Sequence, residues 1–285
     1  MKTTTNQMRQ DMARAEYAAS TRESYLRTIR LFFSRQQERP VEELGREEVR
    51  RFVDELSAQG KSASWMKMHL AALVFLFSKT LGRPAEVSFI KFPRQRSPLP
   101  TILSQEEVGS LLNAIHHRRY QAIAMVIYGT GMRIDEALSL KVEDIDAKRG
   151  VMHVHHGKGN KARDVRLTPR LLEWLRTYWS RERPPKPYLF ASRRTGKPPA
   201  QETVRAAFAQ AAEEAGIAKR VRPHVLRHSY ATHLHEEGVD LRVLQALLGH
   251  ANMQTTARYV RASTKLIEKT PSPLELLPNF GQRRW

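Results

Sequence analysis

Pro223-His-Val-Leu-Arg-His-Ser-Tyr-Ala-Thr-His-Leu234 combines a helical apolar repeat with an unusually cationic polar face. Proline suits the first turn of a helix, where its missing N–H would have had no partner anyway. Leu226, Tyr230 and Leu234 recur at four-residue spacing and are expected to face a core. His224 and Arg227 stand three residues apart, within one turn and about 60° apart around the axis, so both can reach one small anion at a cleft edge.

Working outward, Leu247-Leu-Gly-His-Ala-Asn-Met-Gln-Thr-Thr-Ala-Arg-Tyr259 reads as a helix stopped at Gly249, a break holding His250, and a further helix carrying Tyr259. The pattern predicts helices over about 203–215, 224–237, 240–248 and 253–262. Before them, alternation in Val151–His156 and Arg163–Leu167 predicts two strands, joined by the turn Gly157-Lys-Gly-Asn-Lys-Ala162 with Lys158 at its tip. Thr168-Pro169 supplies a cap and a first-turn proline for the next helix. Tyr128-Gly-Thr-Gly-Met-Arg-Ile-Asp-Glu-Ala-Leu138 is a glycine turn presenting Arg133 on a new first turn, and Ser104-Gln-Glu-Glu107 is a capping box ahead of Val108, Leu111, Leu112 and Ile115.

Lys91-Phe-Pro-Arg-Gln-Arg-Ser-Pro-Leu-Pro100, with three prolines and no acid, is an extended connector. It divides the chain into a helical domain at 1–91, a linker at 92–101 and a second domain with a tail at 102–285. In the first domain the capping box Ser20/Glu23 opens a helix with Tyr25, Leu26, Ile29, Phe32 and Phe33 on its apolar side. Further helices are predicted from about Arg46 to Ala58 and from Ser64 to Leu81, a bundle of three or four in all. The expected fold class is mainly α with a small antiparallel β-sheet in the second domain.

Composition narrows the chemistry. The chain has 285 residues, 48 Lys and Arg against 29 Asp and Glu, and a formal charge of +19. A balance this basic points to a polyanion, with double-stranded DNA as the leading partner. Both halves contribute, about +7 over residues 1–98 and +12 over 99–285, as expected if both touch one duplex. No cysteine is present, which removes disulfides, thiolate metal sites and cysteine nucleophiles. No apolar run approaches membrane-spanning length and residues 1–13 hold no apolar signal core, so a cytoplasmic, nucleoid-associated protein with no membrane contact is expected.

The ordered set Arg133, Lys158, His224-x-x-Arg227, His250 and Tyr259 resembles the tyrosine site-specific recombinases, the phage-integrase type that includes Xer-like, integron and transposon-borne members. The likeness runs from about Leu103 to Tyr259, and the upstream bundle is similar in position to that family's core-binding domain. Asp135 stands where that family often has Ser, and a proline-rich tail follows Tyr259, but neither touches a matched catalytic position. The resemblance implies cleavage and rejoining of DNA without cofactor or metal. Tyr259 would be the nucleophile of a 3′-phosphotyrosyl intermediate, Arg133 and Arg227 would hold the non-bridging oxygens, and His224 would act as acid and base. His250 would donate a hydrogen bond to the phosphate, Lys158 would protonate the departing 5′ oxygen, and Glu136 would orient Arg133 from behind.

It further implies a synaptic homotetramer on a DNA recombination site, with a second, related recombinase as an alternative partner. The tail Val260–Trp285, whose Leu274, Leu276, Leu277, Phe280 and Trp285 are interspersed with prolines, is expected to pack on a neighbouring protomer or to fold back on its own core. Integration or excision of a mobile element is the favoured task, and resolution of chromosome or plasmid dimers the alternative. Two other classes compete: a metal hydrolase using His224, His228 and the cluster His153, His155 and His156, and a non-catalytic DNA-binding regulator. The first lacks a glutamate after His224 and carries a cation, Arg227, inside its ligand set. The second leaves the six catalytic residue types without a purpose.

Overall fold

In the computed structural model the described residues are 1–37, 39–93, 100–155, 162–250 and 252–262. The expectations for Lys158, His156, the middle of the linker and the tail beyond 262 therefore lie outside them. The chain falls into two units, Met1–Ser97 and Pro98–Trp285.

The first unit is all helical: α1 (Lys2–Arg14), α2 (Ala19–Ser34), α3 (Arg46–Ala58) and α4 (Ala63–Phe75), the last running on as a π turn over Leu76–Thr80. Its core is aromatic at the centre. Phe32, fully buried, meets Phe52 edge-on at 5.3 Å and Phe77 at 6.1 Å. Full burial of one such side chain stabilises by about 1.5–3 kcal/mol. Helix α1 is the fourth member of the bundle, which the pattern leaves unplaced because a polar stretch that buries only Met8 and Met12 carries little periodic signal. The Ser20/Glu23 box does not form: α2 begins at Ala19 with no side-chain cap. Tyr17, just ahead of that start, packs edge-on against Phe75 at 5.3 Å, so tertiary contact rather than a cap sets the entry.

In the second unit, α5 (Gln105–Ala114), α6 (Arg118–Thr130) and α7 (Ile134–Ser139) precede a sheet of β1 (Ile145–Asp146), β2 (Val151–Val154) and β3 (Arg163–Arg166). Then come α8 (Pro169–Glu182), α9 (Gln201–Glu214), α10 (Pro223–Glu236), α11 (Leu241–Leu248) and α12 (Met253–Ala262). The Ser104 box forms as read, Ser104 Oγ accepting from the Glu107 N–H at 3.1 Å and Glu107 Oε2 from the Ser104 N–H at 2.7 Å. The sheet is antiparallel in the order β1-β2-β3, with Met152 opposite Val165 and Val154 opposite Arg163. The two predicted strands are shorter than expected, and the two-residue β1 is additional. Leu226 and Ala231 of α10 are fully buried, which makes α10 a central helix. Leu103 is tied to it twice: its N–H donates to Ser229 Oγ at 2.9 Å and its carbonyl accepts from His233 Nε2 at 3.0 Å. The fold is thus mainly α with a small antiparallel sheet, as the sequence implies.

Candidate active site

Helix α11 ends at Gly249, whose φ of +61° is left-handed, and the Gly249 and His250 N–H groups fold back on Ala246 and Gln245 carbonyls. A helix end leaves carbonyls without intrahelical partners. Here three consecutive ones, Leu247, Leu248 and Gly249, each receive a different arginine. Arg163 Nε donates to Leu247 at 2.9 Å, Arg227 Nη2 to Leu248 at 2.7 Å and Arg133 Nη2 to Gly249 at 3.2 Å. Three guanidiniums from β3, α10 and the start of α7 thus gather on one helix terminus, whose partial negative charge favours them.

Glu136 closes the cluster from the other side. Its carboxylate accepts from the Arg133 N–H at 2.8 Å, Arg133 Nη1 at 2.7 Å, and both Arg163 Nη atoms at 3.0 and 2.7 Å, while Arg227 Nη1 lies 3.9 Å away. Burial alone would raise its pKa. The Arg163 hydrogen bonds, the Arg133 N–H and the surrounding cations outweigh that and hold the carboxyl at about 2. Arg227, only 4% exposed, also donates to the Gly131 carbonyl. Burial first, then the Arg133 charge, lower its pKa to about 10, partly offset by Glu136, so it remains cationic at neutral pH.

His250 sits in the break after α11. Arg227 Nη2 approaches its Nε2 at 3.1 Å, and a guanidinium can only donate. Nε2 therefore accepts, and Nδ1 carries the proton toward Thr256 Oγ1 at 2.9 Å. Burial, Arg227 and Arg133 push the imidazole down to about 3, so it is neutral. The Tyr259 ring stacks on it, 6.2 Å between centroids and 17° between planes. Tyr259 is 2% exposed, packed with Tyr230, Ala231 and Leu248, and its hydroxyl lies 3.1 Å from His228 Nδ1. His224 lies exposed on the first turn of α10, its ring 6.4 Å from that of His228. The protein packed beneath it, then Arg227, Arg205 and Arg133, lower its pKa.

The structure therefore brings Arg133, Arg227, His250 and Tyr259 together, with Glu136 behind Arg133 and His224 at the exposed edge of the same helix that carries Arg227. Arg227 is more deeply buried than a cleft-edge position suggests. Sequence reasoning missed two members. Arg163 shares the inward face of β3 with buried Val165, and a cation at such a position signals a buried carboxylate partner. His228, considered only as a metal ligand, is the imidazole that contacts the Tyr259 hydroxyl. His153 pairs with Asp164 at 2.7 Å and His155 with Asp144 at 2.8 Å, and among the described residues no three metal-ligating side chains converge.

Residues 101–265 match the Phage integrase family, and residues 5–86 match the phage integrase N-terminal SAM-like domain. The chain belongs to this family, the tyrosine site-specific recombinases, and is a DNA recombinase. Among its relatives, the integrase/recombinase homologue y4qK of Sinorhizobium fredii is 42% identical over 95% of this chain and 88% of its own. Tyrosine recombinase XerA of Pyrococcus furiosus is 37% identical over 81% of each chain. In three dimensions the chain is similar to the XerH site-specific recombinase bound to its difH substrate, with a TM-score of 0.68, 27% identity and coverage of 86% of this chain and 77% of that one. A lambda integrase tetramer bound to a Holliday junction shares the fold, with a TM-score of 0.74 at 18% identity over 90% and 76% of the two chains. Among the described residues no helix is long and apolar enough to cross a membrane.

Proposed function

We propose that the chain cuts and rejoins DNA at a specific site through a 3′-phosphotyrosyl intermediate, and that its task is to integrate or excise a mobile element. The observation that carries this reading is the packing of the Tyr259 ring on His250, which is itself bonded to Arg227, beside the Arg133–Glu136 pair. Extra negative charge develops on the non-bridging oxygens when a phosphodiester is attacked. Three guanidiniums against one carboxylate leave an excess of positive charge for it, and the forked geometry of arginine suits paired oxygens.

In the step itself, the Tyr259 oxygen bonds to phosphorus and the bond from phosphorus to the 5′ oxygen breaks. The phenol proton passes to His228 Nδ1, with His224 one turn away on the exposed edge to complete the acid–base pair. Lys158 returns a proton to the 5′ oxygen. A phenol with an ordinary pKa of about 10 needs such an acceptor at neutral pH. Because Tyr259 is nearly inaccessible, its attack requires α12 to turn the ring outward. Exchange between two duplexes needs a cut in each strand, so a chain with one nucleophile acts as a tetramer on paired sites.

The test is covalent capture. Incubation with fragmented genomic DNA of the source organism, denaturation and sequencing of protein-linked ends should recover one site, and a nicked duplex bearing it should trap the adduct. Tyr259→Phe should abolish the adduct. An adduct that persists in Tyr259→Phe would overturn the assignment. The XerA likeness supports a second task, dimer resolution. A recovered site on the replicon itself, rather than at the ends of an element, would select it.

A further inference from the structure

We infer that Arg163 is a positioning residue for the reaction. It fixes Arg133 through Glu136, and the turn that carries His250 through the Leu247 carbonyl, without itself touching the DNA. The proposal rests on the functional reading above and adds a residue to it.

The geometry is that of a strut. Arg163 places one fork, Nη1 and Nη2, on the two oxygens of Glu136 at 3.0 and 2.7 Å, and its remaining Nε on the Leu247 carbonyl at 2.9 Å. All three of its nitrogens are taken up by Glu136 and the Leu247 carbonyl, which leaves no edge of the guanidinium directed at a phosphate. Each atom it holds belongs to a group that holds a reacting side chain. Glu136 accepts from Arg133 Nη1 at 2.7 Å, and Leu247 lies two residues before Gly249, whose carbonyl accepts from Arg133 Nη2. Arg133 is therefore gripped at both ends by partners that Arg163 sets.

Packing makes the fit close. A Cβ on Gly249 would lie 3.2 Å from Arg163 Cδ and Nη1 and 3.3 Å from Nε, and the left-handed turn there disfavours other residues on backbone grounds as well. The arginine lies flat against the glycine that stops α11. It belongs to β3, while Arg133 begins α7 and Arg227 rides on α10, so one side chain holds a strand, a helix start and a helix end in mutual register. Lysine cannot do the same, because a single ammonium cannot place two parallel bonds on a carboxylate and a third on a carbonyl.

A chemical test separates positioning from mere folding. Arg163→Ala, Arg163→Lys and Arg133→Ala are compared on a nicked duplex bearing the captured site, with either an ordinary phosphate or a methylphosphonate at the scissile position. The methylphosphonate carries no charge on the substituted position, so it relieves the demand for Arg133. Arg163→Ala should slow adduct formation on the phosphate by on the order of 10²-fold while duplex affinity changes less than about twofold, since no DNA contact is lost. Arg163→Lys should recover part of the rate. On the methylphosphonate the Arg163→Ala and Arg133→Ala deficits should both shrink. A wild-type rate for Arg163→Ala overturns the proposal, and so does a deficit that stays undiminished on the methylphosphonate while that of Arg133→Ala shrinks. Should Arg163→Ala not fold, Arg163→Lys carries the same two-substrate comparison. If the wild-type chain forms no adduct, the functional reading fails, and the crystal structure of the Arg163 variant decides this inference separately: an undisturbed Arg133 and Gly249–His250 turn would refute it.

Discussion

Replacing Glu136 with glutamine removes one charge and almost no volume, so the cost reads directly on the electrostatics of the arginine cluster. The carboxyl is held at about 2 against an ordinary value of 4.5, a preference for the charged form worth about 3 kcal/mol at roughly 1.4 kcal/mol per unit. A neutral side chain there should destabilise the second unit by about that amount at pH 7, at the lower end of the roughly 3–5 kcal/mol found when one partner of a buried ion pair is deleted. For a unit of this size that is a fall in Tm of roughly 6–12 °C. The pH dependence sharpens the test. Because the folded pKa is depressed, the stabilisation is complete above 4.5, declines as pH falls toward 2 and is absent below it. Other carboxylates titrate alike in both proteins and cancel in the difference. Urea unfolding of the wild type and Glu136→Gln at pH 7, 5, 4 and 3.5 should therefore show a constant gap of about 3 kcal/mol that narrows only below 4.5. A gap under about 1 kcal/mol at pH 7, or one that does not narrow at low pH, would refute the reasoning.

Gly131→Ala should destabilise by roughly 2–5 kcal/mol, because φ is +68° and the new Cβ would lie 2.5 Å from the Tyr230 ring. Gly216→Ala, with φ of +67° and nothing within 4 Å, should cost only the backbone share of about 1–2 kcal/mol, and equal losses in calorimetry would contradict the packing argument. His250, held down to about 3, makes the folded state lose stability as pH falls from its unfolded value of 6.5 toward 3, by up to about 1.4 kcal/mol per unit. His250→Gln should flatten that limb of the stability profile, and an unchanged slope would show that the imidazole is not kept neutral. His228→Ala should slow adduct formation by about 10²-fold or more if it takes the phenol proton; a single-turnover rate equal to wild type would remove it from that role. Duplex affinity should fall on the order of 10³-fold between 50 and 200 mM salt, and an anisotropy titration with a flat salt dependence would contradict phosphate-led binding by a chain of charge +19.

The parts of the fold legible in sequence were those with strong local grammar. Ser104 with Glu107, Thr168 with Pro169, and the glycine stop at Gly249 each satisfy orphan backbone groups within a few residues, so their signal is complete in the string. Helix α1 was not placed and the Ser20/Glu23 box does not form although α2 begins beside it, because Met8, Met12 and Tyr17 acquire meaning only through long-range contacts. The site divides on other grounds. Arg133, Arg227, His250 and Tyr259 are individually ordinary, a helix-start arginine, a helical arginine, a histidine in a break and a tyrosine within a helix, and only their order along the chain, through its resemblance to the tyrosine recombinases, marked them as one site. Arg163 was not marked, because its partners Glu136 and Leu247 are 27 and 84 residues away. His228 was visible, but as one of several histidines on α10, and nothing local indicates which ring nitrogen meets a phenol 31 residues downstream.

The way the arginines are held bears on why the site can receive a phosphodiester at all. Pairing each guanidinium with its own carboxylate would fix the geometry equally well, but the cluster would then be electrically neutral and indifferent to an anion. Carbonyls avoid that outcome. Leu247, Leu248 and Gly249 orient three cations through dipoles at a helix end that carries only about half a negative charge, and among the described residues Glu136 supplies the one full negative charge bonded to the cluster. Neutral His250 adds nothing to the repulsion, which is why Arg227 can bond to its Nε2. Positive charge is thereby retained where a phosphate must bind, and its geometry is set beforehand, so little reorganisation remains when charge develops on the non-bridging oxygens. The same economy explains the glycine. A Cβ at Gly249 would press on Arg163 at 3.2–3.3 Å, so the guanidinium would have to shift by a few tenths of an ångström against the helix end it caps.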